Sequence, residues 1–506
     1  MSILKRSVYS YVLNIISLIF TFISGLYIAN SLGPTDYGTY AYLVAFFSGV
    51  FYMLDLGSSS AFFTFIAKNN KNLNFFLNYF YFLFFIISIV FVLFLCAPKT
   101  ILDFLSFESS KTLLLISIPA IFLRSIVWNI VKKIYESQRL SIVINFINAF
   151  AAIFYCIVIL VVDKLFELNV TLIFKIITVE FACLFVITFI IKPIKISSDK
   201  NDTSLLSKYY RYCLPIAPSI IFLGIVKMFE PWIIVTFGGI EQQAFYSISL
   251  QFSMLMVVVL SSVINIFWKE IAENIENQNI IEAGKLYYEF SKYLYLFMNF
   301  CAVFLFFQAE NIINLFLGKE YIMATVTMKL LFLYPCMQVF GQLNGVVFLS
   351  LEDTHSYSKF QIYQGLLSIF ISYLGVYILT NYLNSSLSVA SFMAIKTLLI
   401  AIIFMFVMTN IVRKKLIIND KFKFIMTIPI TFFMINFITH EFVEFSLDSL
   451  NLDLYLFVEI CSYAIIFIIF SILLFIKFPY IFSISKDDSI ILNKKLKSQL
   501  NLMGNK

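Results

Sequence analysis

The sequence predicts an all-α polytopic membrane protein of about fourteen transmembrane helices. Three observations predict it. The 506-residue chain is 61% hydrophobic and only 13% charged, where soluble domains carry roughly 25% charged residues. Its mean hydropathy is +0.92. Apolar stretches long enough to cross a bilayer recur along the chain, and at membrane depth such stretches satisfy their backbone groups only as helices.

Taken in order, the expected spans are 8–30, 38–57, 75–96, 112–131, 141–162, 169–191, 212–236, 243–268, 288–309, 326–350, 358–380, 388–410, 423–440 and 453–477. The first lacks a small-residue cleavage site and reads as a retained span, not a signal peptide. Most lysines and arginines fall on the side that also carries the amino terminus, including Lys132, Lys133, Lys192, Arg211, Arg413, Lys414 and Lys415; the opposite side holds only Lys99, Lys111, Lys164 and Lys319. The positive-inside rule therefore places both termini in the cytoplasm. The net charge of +7 follows this topology and does not imply nucleic-acid binding. Loops are short. Segments 97–111 and 310–325 are too short to fold as catalytic domains, and the acidic stretch Glu441–Asp453 suits an external loop.

The seven cysteines are scattered, with no CxxC pair, and read as small apolar filler with no metal or disulfide role. His355 and His440 are expected in loops. No GxxxxGK[ST] motif occurs, so the chain is expected to hydrolyse no ATP, to hold no cofactor and to be no enzyme.

An internal repeat adds organisation. Gly33-Pro34-Thr35-Asp36-Tyr37-Gly38-Thr39-Tyr40 and Gly239-Ile240-Glu241-Gln242-Gln243-Ala244-Phe245-Tyr246 share a glycine turn, a small residue five on and a tyrosine seven on. Each follows an odd-numbered span. The layout implies two six-helix bundles related by a pseudo-two-fold along the membrane normal, plus two additional C-terminal helices. The expected division is 1–195, a cytoplasmic linker 196–211, 212–412, two further spans within 413–480, and a basic cytoplasmic tail 481–506.

Five bases sit inside the spans: Arg124, Lys175, Lys227, Lys329 and Lys396, against two acids, Glu180 and Glu230. A charge at the bilayer centre costs about 2.5–3.5 kcal/mol on insertion scales and marks a functional site by default. The excess of positive charge points to an anionic substrate. Arg124 either faces a cavity or snorkels to the cytoplasmic end. Lys175 and Glu180, five apart on one helix, are poor mutual partners. Lys227 and Glu230, three apart, are placed to form an intrahelical pair. Lys329 is expected to snorkel outward. Arg124, Lys175, Lys227 and Lys396 are the expected substrate-binding cations, and Glu180, Glu230 and Asp55 the candidate ion-coupling acids. Asp55 has a structural alternative, capping or pairing with Lys68. Pro215, Pro218 and Pro231 are expected to break the seventh helix and make it a hinge.

Leu32-Gly33-Pro34-Thr35-Asp36-Tyr37-Gly38-Thr39-Tyr40 with Leu54-Asp55-Leu56-Gly57 resembles the amino-terminal pattern of bacterial polysaccharide flippases, the O-antigen and capsule exporters. Tyr212-Cys213-Leu214-Pro215-Ile216-Ala217-Pro218-Ser219 with Ala244-Phe245-Tyr246-Ser247-Ile248 is similar to the start of that family's second half, and Phe316-Leu317-Gly318-Lys319-Glu320-Tyr321 to its loop before the tenth span. The chain departs from the pattern at Phe229-Glu230-Pro231-Trp232, where relatives often carry an Asp-Arg pair. These flippases belong to the multidrug/oligosaccharidyl-lipid/polysaccharide exporter superfamily. The resemblance implies a bacterial inner-membrane protein working by alternating access. Its implied substrate is an oligosaccharide unit on undecaprenyl pyrophosphate, and its implied partners are the polymerase and chain-length regulator of the same pathway. The competing readings are a multidrug antiporter of the same superfamily and a membrane polymerase.

Overall fold

A computed structural model describes residues 3–59, 73–98, 100, 110–138, 140–191, 203–381, 388–420, 422–450, 456–477 and 479. The basic tail 481–506 and residues 196–202 of the linker lie outside them, as does Lys68. Every regular element among the described residues is helical. Among the described residues, thirteen helices are long and apolar enough to cross a membrane. The first of these, Tyr9–Asp55, has 47 residues. At 1.5 Å per residue it is more than twice the ~30 Å hydrocarbon thickness. It folds back at Gly33, whose φ of 69° lies in the left-handed region that glycine supplies freely. Counting this helix as two crossings gives the fourteen expected.

The chain divides into two compact units, Met1–Ile248 with Ser358–Lys396, and Ser249–Tyr357 with Thr397–Lys506. This grouping follows spatial contacts and is drawn differently from the repeat-based division.

The first unit contains α1 (Ile3–Asp55), α2 (Leu73–Cys96), α3 (Lys111–Phe122), a π-helical turn (Leu123–Val127), α4 (Trp128–Ser137), α5 (Ser141–Leu165), α6 (Val170–Ile191) and α7 (Thr203–Gly238). It also takes in the first residues of α8 (Ile240–Glu276), most of α13 (Thr354–Asn381) and the start of α14 (Val389–Lys415). Ser110 caps α3 by accepting from the Leu113 N–H. Pro119 lies inside α3, just before the π turn. Proline lacks the N–H that closes the ladder, and π turns arise where the ladder is interrupted.

The second arm of α1 packs closely against α7 and the start of α8. A Cβ on Gly38 would lie 2.2 Å from the Ile240 carbonyl oxygen, one on Gly49 2.9 Å from the Met228 nitrogen, and one on Gly224 2.8 Å from the Met53 Cα. Small residues permit this backbone approach, as they do between membrane helices generally. Gly239 matches Gly33 with a φ of 86°. Thr35 Oγ1 donates to Glu241 Oε1 at 3.1 Å, across a separation of 206 residues. That is the offset of the repeat itself, so equivalent positions of the two copies bond each other, as a local two-fold produces.

The second unit contains the rest of α8 and α14, with α9 (Ile280–Phe307), α10 (Ala309–Phe316), a 3₁₀ turn (Lys319–Ala324), α11 (Thr325–Phe332), α12 (Tyr334–Ser350), α15 (Phe424–Leu450) and α16 (Leu456–Lys477). Its core is aromatic, with Tyr295, Phe340, Phe422 and Phe424 in mutual ring contact. A buried polar chain crosses it: Tyr287 Oη donates to Asn344 Oδ1 at 2.6 Å, and Asn344 Nδ2 to Thr409 Oγ1 at 3.2 Å.

Several expectations are corrected. Helix α7 begins at Thr203, inside the expected linker, and runs unbroken through Pro215, Pro218 and Pro231. Each proline removes one ladder bond, and membrane helices tolerate that loss. Helix α15 continues to Leu450, so Glu441–Leu450 is helical and not a loop. Hydropathy marks where the bilayer ends, whereas a helix carries its own hydrogen bonds past that boundary. For the same reason His355 and His440 fall within α13 and α15. Segment 310–325 holds α10 and the 3₁₀ turn.

Candidate functional site

Two polar cavities open inside the first unit. The larger, of 460 Å³, is lined by Asn14, Tyr52, Asp55, Ser59, Asn129, Lys132, Lys133, Glu136, Asn145 and Asn148, among others. The smaller, of 180 Å³, is lined by Ser17, Thr21, Arg124, Trp128, Lys132, Asn148, Tyr155 and Glu180, among others. Lys132 and Asn148 wall both.

Helix periodicity builds this lining. On α1 the residues Ser10, Asn14, Ser17, Thr21 and Ser24 recur at spacings of three or four, which puts them on one face. On α5, Asn145, Asn148, Ala152 and Tyr155 share a face in the same way. Hydrogen bonds tie the two stripes together: Asn148 Nδ2 donates to Ser17 Oγ at 2.6 Å, and Asn145 Nδ2 to the Ser10 carbonyl at 3.5 Å. Trp128 Nε1 donates to Asn148 Oδ1 at 2.9 Å, which fixes that amide's orientation.

Arg124 sits on the π turn and lines the smaller cavity. Its Nη1 donates to Tyr40 Oη at 3.4 Å, which leaves most of a five-donor guanidinium for other partners. Glu180 lines the same cavity from α6, and no direct ion pair joins the two among the described residues. Tyr155 is 7% exposed, and its hydroxyl has no hydrogen-bond partner among the described residues.

The other expected cations are dispersed. Lys175 is exposed on α6 and lines neither cavity. Lys227 is exposed and does not pair with Glu230; its Nζ lies 3.9 Å from the centroid of the Tyr52 ring. Tyr52 lines the larger cavity, so Lys227 reaches that cavity through a cation–π contact. Lys396, 2% exposed, donates to Glu230 Oε1 at 2.6 Å and to Ser368 Oγ at 3.0 Å, and Ser368 donates in turn to Glu230. The tertiary partner wins over the intrahelical one because Lys396 is otherwise fully buried and must be paired. Lys329 is half-buried on α11, in the second unit.

Asp55 follows its structural alternative. Its Oδ1 accepts from Ser58 Oγ at 2.8 Å and from the Ser59 N–H at 3.2 Å, and its Oδ2 accepts from Ser59 Oγ at 3.0 Å. These bonds close the turn where Leu56 and Gly57 adopt φ of 50° and 79°. Lys133 Nζ reaches Ser59 Oγ at 3.4 Å, joining this turn to α4.

Sequence reasoning missed Lys132, Lys133, Tyr40, Tyr155 and the asparagines. The two lysines were read as loop charges. The polar stripes on α1 and α5 were a visible signal: period-3.6 polarity within apolar helices.

No family model matches the chain, and no curated protein matches its sequence. Solved structures do. The chain is similar to the lipid II flippase MurJ in an inward closed conformation, at a TM-score of 0.64 and 15% identity over 94% of this chain and 99% of that one. It is similar also to an inward-facing multidrug resistance MATE family transporter of the MOP superfamily, at a TM-score of 0.63 and 12% identity over 82% and 100%. The chain has the fold of a MOP-superfamily transporter. A third match is a MOP superfamily transporter from Pyrococcus furiosus whose structure is described as having a binding pocket of reverse polarity, at a TM-score of 0.53 and 14% identity over 81% and 95%. These three structures are of transporters and a flippase.

Proposed function

We propose that this protein is a flippase that moves a polyprenyl-pyrophosphate-linked oligosaccharide from the cytoplasmic to the outer leaflet of a bacterial inner membrane by alternating access. The observation that carries the reading is Arg124, held on a π turn inside a polar cavity among membrane helices. Guanidinium is permanently charged and grips phosphate with two parallel hydrogen bonds. Bare hydrocarbon excludes a pyrophosphate; two cavities that share Lys132 and Asn148, and are walled between them by Arg124, Lys133 and three further asparagines, offer it charge and offer the sugars amide partners. Lys227, over Tyr52, adds a further cation at that wall. The prenyl tail stays in lipid throughout.

A second reading is favoured by a specific observation. The two cavities also hold three carboxylates, Asp55, Glu136 and Glu180, and an exporter of cationic compounds uses such groups. Asp55 is consumed by its turn, and Glu136 shares α4 with Lys132 and Lys133 at helical contact spacing. Glu180 is then the carboxylate left to receive a cation.

The test is genetic. Expression in a strain that lacks its own polysaccharide flippase is expected to restore surface polysaccharide, with Arg124→Ala losing display at normal protein level and Arg124→Lys keeping part of it. Full display by Arg124→Ala, or resistance to cationic drugs without any display, overturns the reading.

A further inference from the structure

Arg124, Lys132 and Lys133 wall the cavities together with Asp55, Glu136 and Glu180, and Lys227 adds a cation over Tyr52, so the acids offset most of the positive charge. An anionic substrate needs a positive surplus at the moment it binds. In the smaller cavity the opposition is local, because Glu180 faces Arg124 across 180 Å³ of space without touching it. The described titratable groups that line this cavity with Glu180 are Arg124 from the π turn, Lys132 from α4 and Tyr155 from α5. Lys175, on its own helix, is exposed and lies outside the cavity. Arg124 is the guanidinium that shares this cavity with Glu180 and favours its ionised form. A second observation points to a ligand in this space. The Tyr155 hydroxyl is buried, its residue lines the cavity, and it has no partner among the described residues, where most buried side-chain polar atoms are bonded.

We propose that Glu180 and the phosphate of the substrate compete for Arg124, so that substrate binding takes up one proton at Glu180. This deepens, and rests on, the flippase reading. Without substrate, the Glu180 carboxylate balances Arg124 across water. When a phosphate oxygen takes the guanidinium, Glu180 is left facing a second anion and accepts a proton from solvent on one carboxylate oxygen. The acid is then neutral, Arg124 keeps its charge, and the cavity becomes more positive by one charge. Tyr155 donates to whichever oxygen, carboxylate or phosphate, stands beside it. Linkage makes the effect reciprocal: proton binding at Glu180 tightens substrate binding by the same factor that substrate tightens the proton. Affinity therefore weakens as pH rises, by up to about tenfold per unit where the uptake is one full proton.

The test uses the full-length protein in detergent micelles, with geranyl pyrophosphate as the probe. Calorimetric titration in two buffers of different ionisation enthalpy reads proton uptake directly. The wild type is expected to take up close to one proton and to bind more weakly with rising pH. Glu180→Gln is expected to bind at least as tightly, at least tenfold tighter at the alkaline end, with uptake near zero. Arg124→Ala is expected to lose binding. Protonation of the probe itself would persist in Glu180→Gln, so uptake unchanged in that variant overturns the inference while the flippase reading stands. So does wild-type binding without uptake. A wild type that ignores geranyl pyrophosphate and binds a lipophilic cation overturns both, and the two failures are thereby distinct.

Discussion

Removal of Lys396 should expose how much the buried ion pair contributes. Lys396→Met keeps the apolar stem and deletes the ammonium. Glu230 then loses its 2.6 Å partner and keeps only the Ser368 hydroxyl. Stripping one partner from a buried pair costs about 3–5 kcal/mol. Glu230 is 24% exposed and retains one donor, so a loss at or just below the bottom of that range, about 2–3 kcal/mol, is expected. Glu230→Gln with Lys396→Met leaves no stranded charge and is expected to cost less than the lysine change alone. The assay is a double-mutant cycle on thermal unfolding of the purified protein in detergent. A Lys396→Met protein as stable as wild type, or a double variant whose loss is the sum of the singles, would falsify the reasoning. Surface polysaccharide is a second readout. If the pair is structural, the double variant keeps display; display lost at restored stability assigns Lys396 to the substrate instead.

Further outcomes follow from other contacts. Gly38→Val should separate the second arm of α1 from α8, because even a Cβ would lie 2.2 Å from a carbonyl oxygen; overpacking of this kind costs about 1–3 kcal/mol, and the melting temperature reads it. Gly341→Ala, with its nearest neighbour 3.5 Å away, is the control expected to melt like wild type. Pro119→Ala restores an N–H to α3 and should favour regular helix over the π turn; polysaccharide display is expected to fall with little loss of stability, and unchanged display would show that the turn does not set Arg124. Between α12 and α13, Lys415 donates to Asp353 and, with Ser356, holds its carboxyl down at about 2. The sign is that of a depressed acid: the contribution is present above the ordinary carboxylate value and fades as pH falls toward about 2. The pair is partly exposed and worth at most about 1 kcal/mol, so an Asp353→Asn melting difference should be small at neutral pH and should shrink steadily as the pH is lowered below about 4.

The hydropathy pattern alone determined the class, the span count and the reversal at Gly33. Membrane helices carry their hydrogen bonds within one segment, so each is legible without its neighbours. The repeat was legible for a similar reason: Gly33 and Gly239 serve a backbone conformation that few residues other than glycine adopt readily. Charge partners were not legible. Lys227 and Glu230 stand three apart on one helix, yet one sits over Tyr52 and the other takes Lys396, 166 residues away. Sequence spacing governs only what one helix face presents, whereas a buried charge takes whatever partner the packing of several helices brings within reach. Arg124 was found because an arginine in an apolar run has few explanations. Its setting, a π turn facing Glu180 and an unpartnered Tyr155, came from α3, α5 and α6 meeting in space, and only the tertiary structure decided it.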